Sequence, residues 1–204
     1  MDNKNTTVQL KDLLIENGLL LLNTVGYDNF SIRKVASMSG VSHAAPYKHF
    51  KNKEEMINAI SISVVKKYIK TLQETAIEYD DPKIRLVELG KKYVQFMVEN
   101  PEYMKFILFS PIKQSVKIKD NCFVYNEKSG FTVFKDTASA YLDSIGANSK
   151  VYVTDILTMW SIVEGITILI TEQSISFDDD YLSVVTNMLT HHLDMLAQQH
   201  GIGH

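Results

Sequence analysis

Residues 148–173, "NSKVYVTDILTMWSIVEGITILITEQ", constrain this chain more than any other stretch. Val151, Val153, Ile156, Leu157, Met159, Trp160, Ile162, Val163, Ile166, Ile168, Leu169 and Ile170 leave no polar face at helical spacing. A helix of this kind must be covered on more than one side. Only a bundle of further helices, or a sheet, supplies that cover. Strand-like alternation is scarce, and 204 residues contain only four prolines and nine glycines. The expectation is therefore an all-α fold of about nine helices.

Punctuation along the chain places the elements. Thr6 and Gln9 read as a capping box that opens a first helix, and Gly26 as its stop. Ser31 is set to cap a second helix through Met38, Gly40 to turn the chain, and Ser42 to cap a short third helix. Asn52 with Glu55 forms another capping box, for a long helix from about 53 to 78. Asp81-Pro82 and Asn100-Pro101 begin two more, because proline's missing N–H is harmless in the first turn. Residues 110–126 show no helical period and read as a long connection. Three helices near 127–144, 148–173 and 179–199 close the chain. This divides it into a small N-terminal module, 1–52, and a larger helical domain, 53–204.

The formal net charge is −3, so any nucleic-acid binding has to come from a local patch. Such a patch exists. From Ser31 to Lys53 there is no Asp or Glu, yet Arg33, Lys34, Lys48, Lys51 and Lys53 fall there. A packed domain has no need of that distribution, whereas a surface facing phosphates does. Cys122 is the single cysteine, which excludes an intrachain disulfide and a Cys-based zinc site, and it reads as a small buried hydrophobe. No cofactor motif is found. The first ten residues contain no apolar signal core, and the runs "DLLIENGLLLL" and "WSIVEGITILI" are short and interrupted by Glu16 and Glu164. A cytoplasmic protein with no membrane partner is expected.

Helix 31–38, a turn at 39–41 and helix 42–48 have helix-turn-helix spacing, with Ala36 small enough for a close crossing. The stretch "GYDNFSIRKVASMSGVSHAAPYKHFKNKEEMINAI", Gly26 to Ile60, resembles the TetR family of bacterial transcriptional regulators. The Gly-Val-Ser before the recognition helix, the Tyr-x-His-Phe after it and the Lys-Glu-Glu entry to the next helix carry the likeness. "AAPYKHF" departs from the commoner form and is similar to a subgroup whose C-terminal domain holds a Trp-His-Gly motif. Trp160 and Gly165 fit that spacing, with Glu164 where the His belongs. The resemblance implies that Ser42, His43, Ala44 and Ala45 face base edges while Tyr47 and Lys48 reach phosphates. Ser31, Arg33, Lys34, His49 and Lys53 complete the expected DNA-binding set. Tyr and Lys donors suit phosphate oxygens and His43 suits a base acceptor. Pro46, the fourth helical residue after a Ser42 cap, would cost one backbone hydrogen bond. Phe50 is its expected packing anchor.

The resemblance also implies a homodimer and a small-molecule effector. Ile162, Ile166, Leu169, Val185, Leu189, Leu193 and Leu196 on the last two helices are the expected dimer interface. Ten of the twenty aromatic residues lie within 93–141. Phe96, Phe106, Phe109, Phe131, Phe134, Trp160 and Glu164 form the expected pocket, suited to a hydrophobic or aromatic molecule. The function expected is a repressor released from a palindromic DNA operator, and not an enzyme. The competing reading, an enzyme or metal protein, would use His191, His192 and Asp194. Adjacent histidines point about 100° apart on a helix, and neither has a ligand partner four residues on.

Overall fold

The structure is a computed structural model; it describes residues 2–101, 104, 116–125, 129–178 and 180–201, with side chains from Gln9 onward. Among them are α1 (Asp2–Val25), α2 (Ile32–Met38), α3 (Lys53–Glu78) and α4 (Pro82–Glu99). A two-stranded ribbon follows, β1 (Lys117–Lys119) and β2 (Cys122–Val124), then α5 (Gly130–Ser144), α6 (Tyr152–Thr171) and α7 (Tyr181–Gln199). Two single 3₁₀ turns, Ala45–Lys48 and Ser149–Val151, complete the set. The fold is all-α, with seven α-helices rather than nine among the described residues.

The chain packs as two compact units that divide within α3, after Lys67. The first holds α1, α2, the 3₁₀ turn at 45–48 and the start of α3. Its core is Leu14, Leu21, Leu22, Phe30, Ile32, Val35, Ala36, Phe50, Met56, Ile57 and Ile60, all buried. α1 begins at Asp2, so Thr6 lies inside the helix and does not cap it. Its end is as expected: Gly26 takes a φ of 72° and its N–H returns to the Leu22 carbonyl.

The second unit is built around α4, which packs against α5, α6 and α7. Asp81 caps it, its Oδ1 accepting from the Ile84 N–H at 2.8 Å. Gly90 lets α7 come close, because a Cβ there would lie 2.7 Å from Leu189 Cδ1 and 3.3 Å from Val163 Cγ1. Val94, Ala138, Tyr141, Leu142, Ile156, Met159, Val163, Ile166, Val185, Leu189, Leu193 and Leu196 are core. The Tyr141 hydroxyl donates to the Leu193 carbonyl, joining α5 to α7. Burial, reinforced by Asp194, pushes its pKa up to about 12, so it stays a donor.

Three expectations give way here. Residues 117–124 form a β-hairpin rather than open connection, with Asp120 and Asn121 both at positive φ as its two-residue turn requires. Cys122 lies on β2 and is exposed, not buried. Residues 149–171 are long and apolar enough, at mean hydropathy 1.6, to cross a membrane by length and composition. In this fold that stretch is the 3₁₀ turn and α6, whose inner side chains are core.

Candidate nucleic-acid interface and ligand site

α2 starts after Ser31, whose backbone is extended but whose hydroxyl makes no capping bond. The helix ends on Gly40 at φ +67, with Gly40 N–H bonded to Ser37 O and Val41 N–H to Ala36 O. This pair of bonds satisfies the last carbonyls and needs a left-handed residue, which glycine adopts without strain. The Ser39 hydroxyl, at the end of the turn, donates to Val35 O and accepts from Asn17 of α1 at 2.9 Å. Nothing in the local sequence points to Asn17, because the two positions are 22 residues apart.

The expected third helix over 42–48 is instead one 3₁₀ turn, Ala45–Lys48, preceded by a turn in which Ala45 N–H bonds to Ser42 O. Pro46 explains this. It is buried in the first turn, where its missing N–H leaves no gap in an i→i+3 ladder. Phe50 is buried beside it in sequence, with its N–H on Pro46 O.

This arrangement leaves Arg33, Lys34, Ser42, His43, Ala44, Tyr47 and Lys48 exposed, and Ser31, Ala45, His49 and Lys53 half-buried. His43 Nε2 lies 3.2 Å from Ser37 Oγ, which steadies the ring at the surface. A shallow cleft of about 550 Å³ is lined by Ser31, Arg33, Tyr47, Lys51, Asn52, Lys53 and Glu54 among others. Lys51 was absent from the expected set although it stands in the same carboxylate-free run. Lys53 is held back: its Nζ donates to the Tyr27 carbonyl and lies 4.4 Å from the Tyr27 ring centroid. The expected capping box opens α3, with Asn52 Oδ1 accepting from Glu55 N–H, but the Glu55 carboxylate reaches Lys51 N–H.

In the second unit, Glu164 Oε1 accepts from Tyr93 Oη at 2.6 Å and from Trp160 Nε1 at 2.8 Å. Phe131 lies on Trp160, with centroids 5.0 Å apart, and touches Phe123, Tyr125 and Phe134. Phe96 stacks on Tyr68 at 5.1 Å, and Tyr68 meets Tyr93 at 6.0 Å. Phe131, Phe134, Trp160 and Glu164 of the expected pocket are thus brought together, and Phe96 joins through Tyr68 and Tyr93. Phe106 and Phe109 lie outside the described residues. Tyr68 and Tyr93 were missed, since 71 residues separate Tyr93 from Glu164.

His191, His192 and Asp194 do not converge. Asp194 pairs with Lys83, His191 is exposed, and His200 Nε2 sits 3.2 Å from the buried Asp155. Among the described residues no three His, Cys, Asp or Glu could hold a metal ion. Burial lowers the His192 pKa, opposed by Asp155 and aided by His191. The unfolded chain takes this proton near pH 6.5 and the folded chain only below it, so stability present above pH 6.5 is lost as pH falls. Calorimetry in steps from pH 7.5 to 5 should show a falling melting midpoint, less steep in His192→Gln. Equal slopes in the two proteins would remove His192 as the cause.

The sequence profile of the bacterial regulatory proteins, tetR family, matches residues 14–60, which span the end of α1 to the first part of α3. The chain carries a TetR-family DNA-binding domain. Its fold is similar to that of a protein of unknown function from Rhodococcus sp. RHA1, at 20% identity, covering 92% of this chain and 95% of that one, with a TM-score of 0.69. It is also similar to the regulator FadR from Bacillus subtilis in complex with stearoyl-CoA, at 15% identity, 89% and 96% coverage and a TM-score of 0.62. A TetR variant from Acinetobacter baumannii AYE in complex with minocycline matches at 18% identity, 92% and 96% coverage and a TM-score of 0.56. The TetR-family domain explains the carboxylate-free run; the Trp-His-Gly likeness of the second unit rests on Trp160 and Gly165 alone.

The expected dimer set separates on inspection. Ile166, Val185, Leu189, Leu193 and Leu196 are buried in the chain's own core and are not available to a partner. Ile162 is half-buried, and Leu169 is exposed. The outward apolar set is Leu157, Ile168 and Leu169 on α6 with Val184, Met188 and Met195 on α7. Ser161 is exposed, and Gly165 has open space where a side chain would stand.

Proposed function

We propose that this protein is a homodimeric TetR-family repressor that leaves a pseudo-palindromic operator when a small hydrophobic or aromatic molecule binds its second unit. The observation that carries this reading is the exposure of Arg33, Lys34, Tyr47, Lys48 and Lys51, all from a run of sequence without Asp or Glu, around a helix-turn-helix. His43 and Ala44 are exposed in the same segment, and on this reading they meet base edges, with Ala44 offering a methyl contact to thymine. The outward apolar set on α6 and α7, with Ser161 and Gly165 allowing close approach, supports a dimer through these two helices. A two-fold dimer presents two reading heads, so half-sites about one helical turn apart, or slightly more, follow. Two structural neighbours are in complex with small molecules, minocycline and stearoyl-CoA, and the aromatic cluster around Trp160 is the candidate ligand site here.

The test is an electrophoretic shift on sites selected from random DNA, repeated over a salt series. Lys48→Ala should weaken binding to all sequences and reduce the salt slope by about one counterion, whereas His43→Ala should relax sequence preference with the slope intact. A Lys48→Ala protein with unchanged affinity and slope would show that the head docks differently. Ligand and operator must also weaken each other by the same factor. Calorimetry of an effector with and without operator checks this, and equal affinities would point to direct competition at the DNA surface.

A further inference from the structure

We infer that the ligand held in the aromatic cluster of the second unit is an organic cation, recognised by Glu164; this rests on the ligand-responsive reading above and narrows it. Both donors that reach the Glu164 carboxylate, Tyr93 Oη and Trp160 Nε1, bind the same oxygen, Oε1. Oε2 is buried and accepts nothing. Neutral O–H and N–H donors stabilise an ionised carboxylate without cancelling its charge. No Lys, Arg or His among the described residues forms an ion pair with it. In this half-buried carboxylate the one buried, unsatisfied oxygen is costly, and the cost is removed by a group that brings both a positive charge and a donor.

The walls suit the same class. Phe131 lies across Trp160 at 5.0 Å, with Tyr125 and Phe134 against Phe131 at 4.9 and 6.0 Å. Aromatic faces attract cations, tryptophan most strongly, and more so away from water. Phe131, Tyr125, Phe134 and Trp160 are each half-buried, so the ring cluster is partly open to solvent. A fatty carboxylate or other anion would meet the Glu164 charge and be repelled. The preferred ligand is thus an aryl or alkyl amine in its protonated form.

Trp160 is the only tryptophan in the chain, so intrinsic fluorescence reports this site alone. Full-length protein would be titrated with 4-phenylbutylammonium, the neutral 4-phenylbutanol and the anionic 4-phenylbutyrate. The ammonium should bind at least tenfold more tightly than the alcohol, and the carboxylate least. Glu164→Gln should erase the preference between ammonium and alcohol. Relieved of its buried charge, that variant should also melt no earlier than the parent when no ligand is present. Equal binding of ammonium and alcohol, no response to any probe, a preference that survives Glu164→Gln, or an earlier melt would each overturn the assignment. DNA release is scored separately. Ammonium binding that depends on Glu164 but leaves operator affinity unchanged keeps the cation site and removes the ligand-responsive reading. Operator release by the alcohol or carboxylate alone does the reverse.

Discussion

An arginine at Leu189 is expected to unfold the protein, while an arginine at Met188, the adjacent residue, is expected to leave a folded monomer. Leu189 is 7% exposed and sits over the bare backbone of Gly90, where no side chain could retreat to make room. Burying an unpaired guanidinium there costs on the order of 5 kcal/mol, comparable to the whole stability of a domain. Met188 is 40% exposed on the outward set of α7. A charge there is solvated in the monomer and becomes costly only when a partner covers it. Circular dichroism melts and sedimentation velocity on the two variants decide both points. A folded Leu189→Arg protein would show that α7 is turned the other way. A Met188→Arg protein that still sediments as a dimer would place the interface elsewhere.

The second large effect concerns the head. Reversing Arg33 and Lys48 together, to glutamate, should lower operator affinity by roughly three orders of magnitude at 0.15 M salt. Counterion release is worth about 0.7 log unit per phosphate contact at that concentration, and each reversal both deletes one contact and adds a repulsion. Both side chains are exposed, and among the described residues no hydrogen bond or ion pair holds them, so the fold should be unaffected. Fluorescence anisotropy on labelled operator measures the loss. A drop of less than tenfold would mean that neither residue meets phosphate.

The limits of α3 and α4 were legible because local chemistry sets them: Asn52 caps one helix, and Asp81 before Pro82 caps the other. Gly26 and Gly40 were legible as stops for the same reason. The facing of α7 was not. That helix carries two apolar stripes, Val185–Leu189–Leu193–Leu196 and Val184–Met188–Met195, and periodicity alone does not say which one is core. The decision is made on another helix, by the missing side chain of Gly90. The hairpin at 117–124 escaped because each strand is only three residues long, too short for a two-residue period to stand out. The ligand cluster was half legible. Its aromatic richness and Glu164 stood out in the sequence, but Tyr93, which completes the carboxylate's pair of donors, is brought in only by the packing of α4 on α6.

The 3₁₀ turn at Ala45–Lys48 has a consequence for how the proposed DNA target would change. A long recognition helix keeps its own shape, so its surface residues can be exchanged independently of what lies beneath. Here four residues hold few hydrogen bonds of their own, and buried Pro46 and Phe50 fix where His43, Ala44, Tyr47 and Lys48 stand. On the proposed reading, in which these residues meet DNA, specificity is partly written in the interior. A lineage drifting at Phe50 would shift its preferred operator without altering any residue that touches DNA, and grafting His43 to Lys48 onto another scaffold would not carry the preference along.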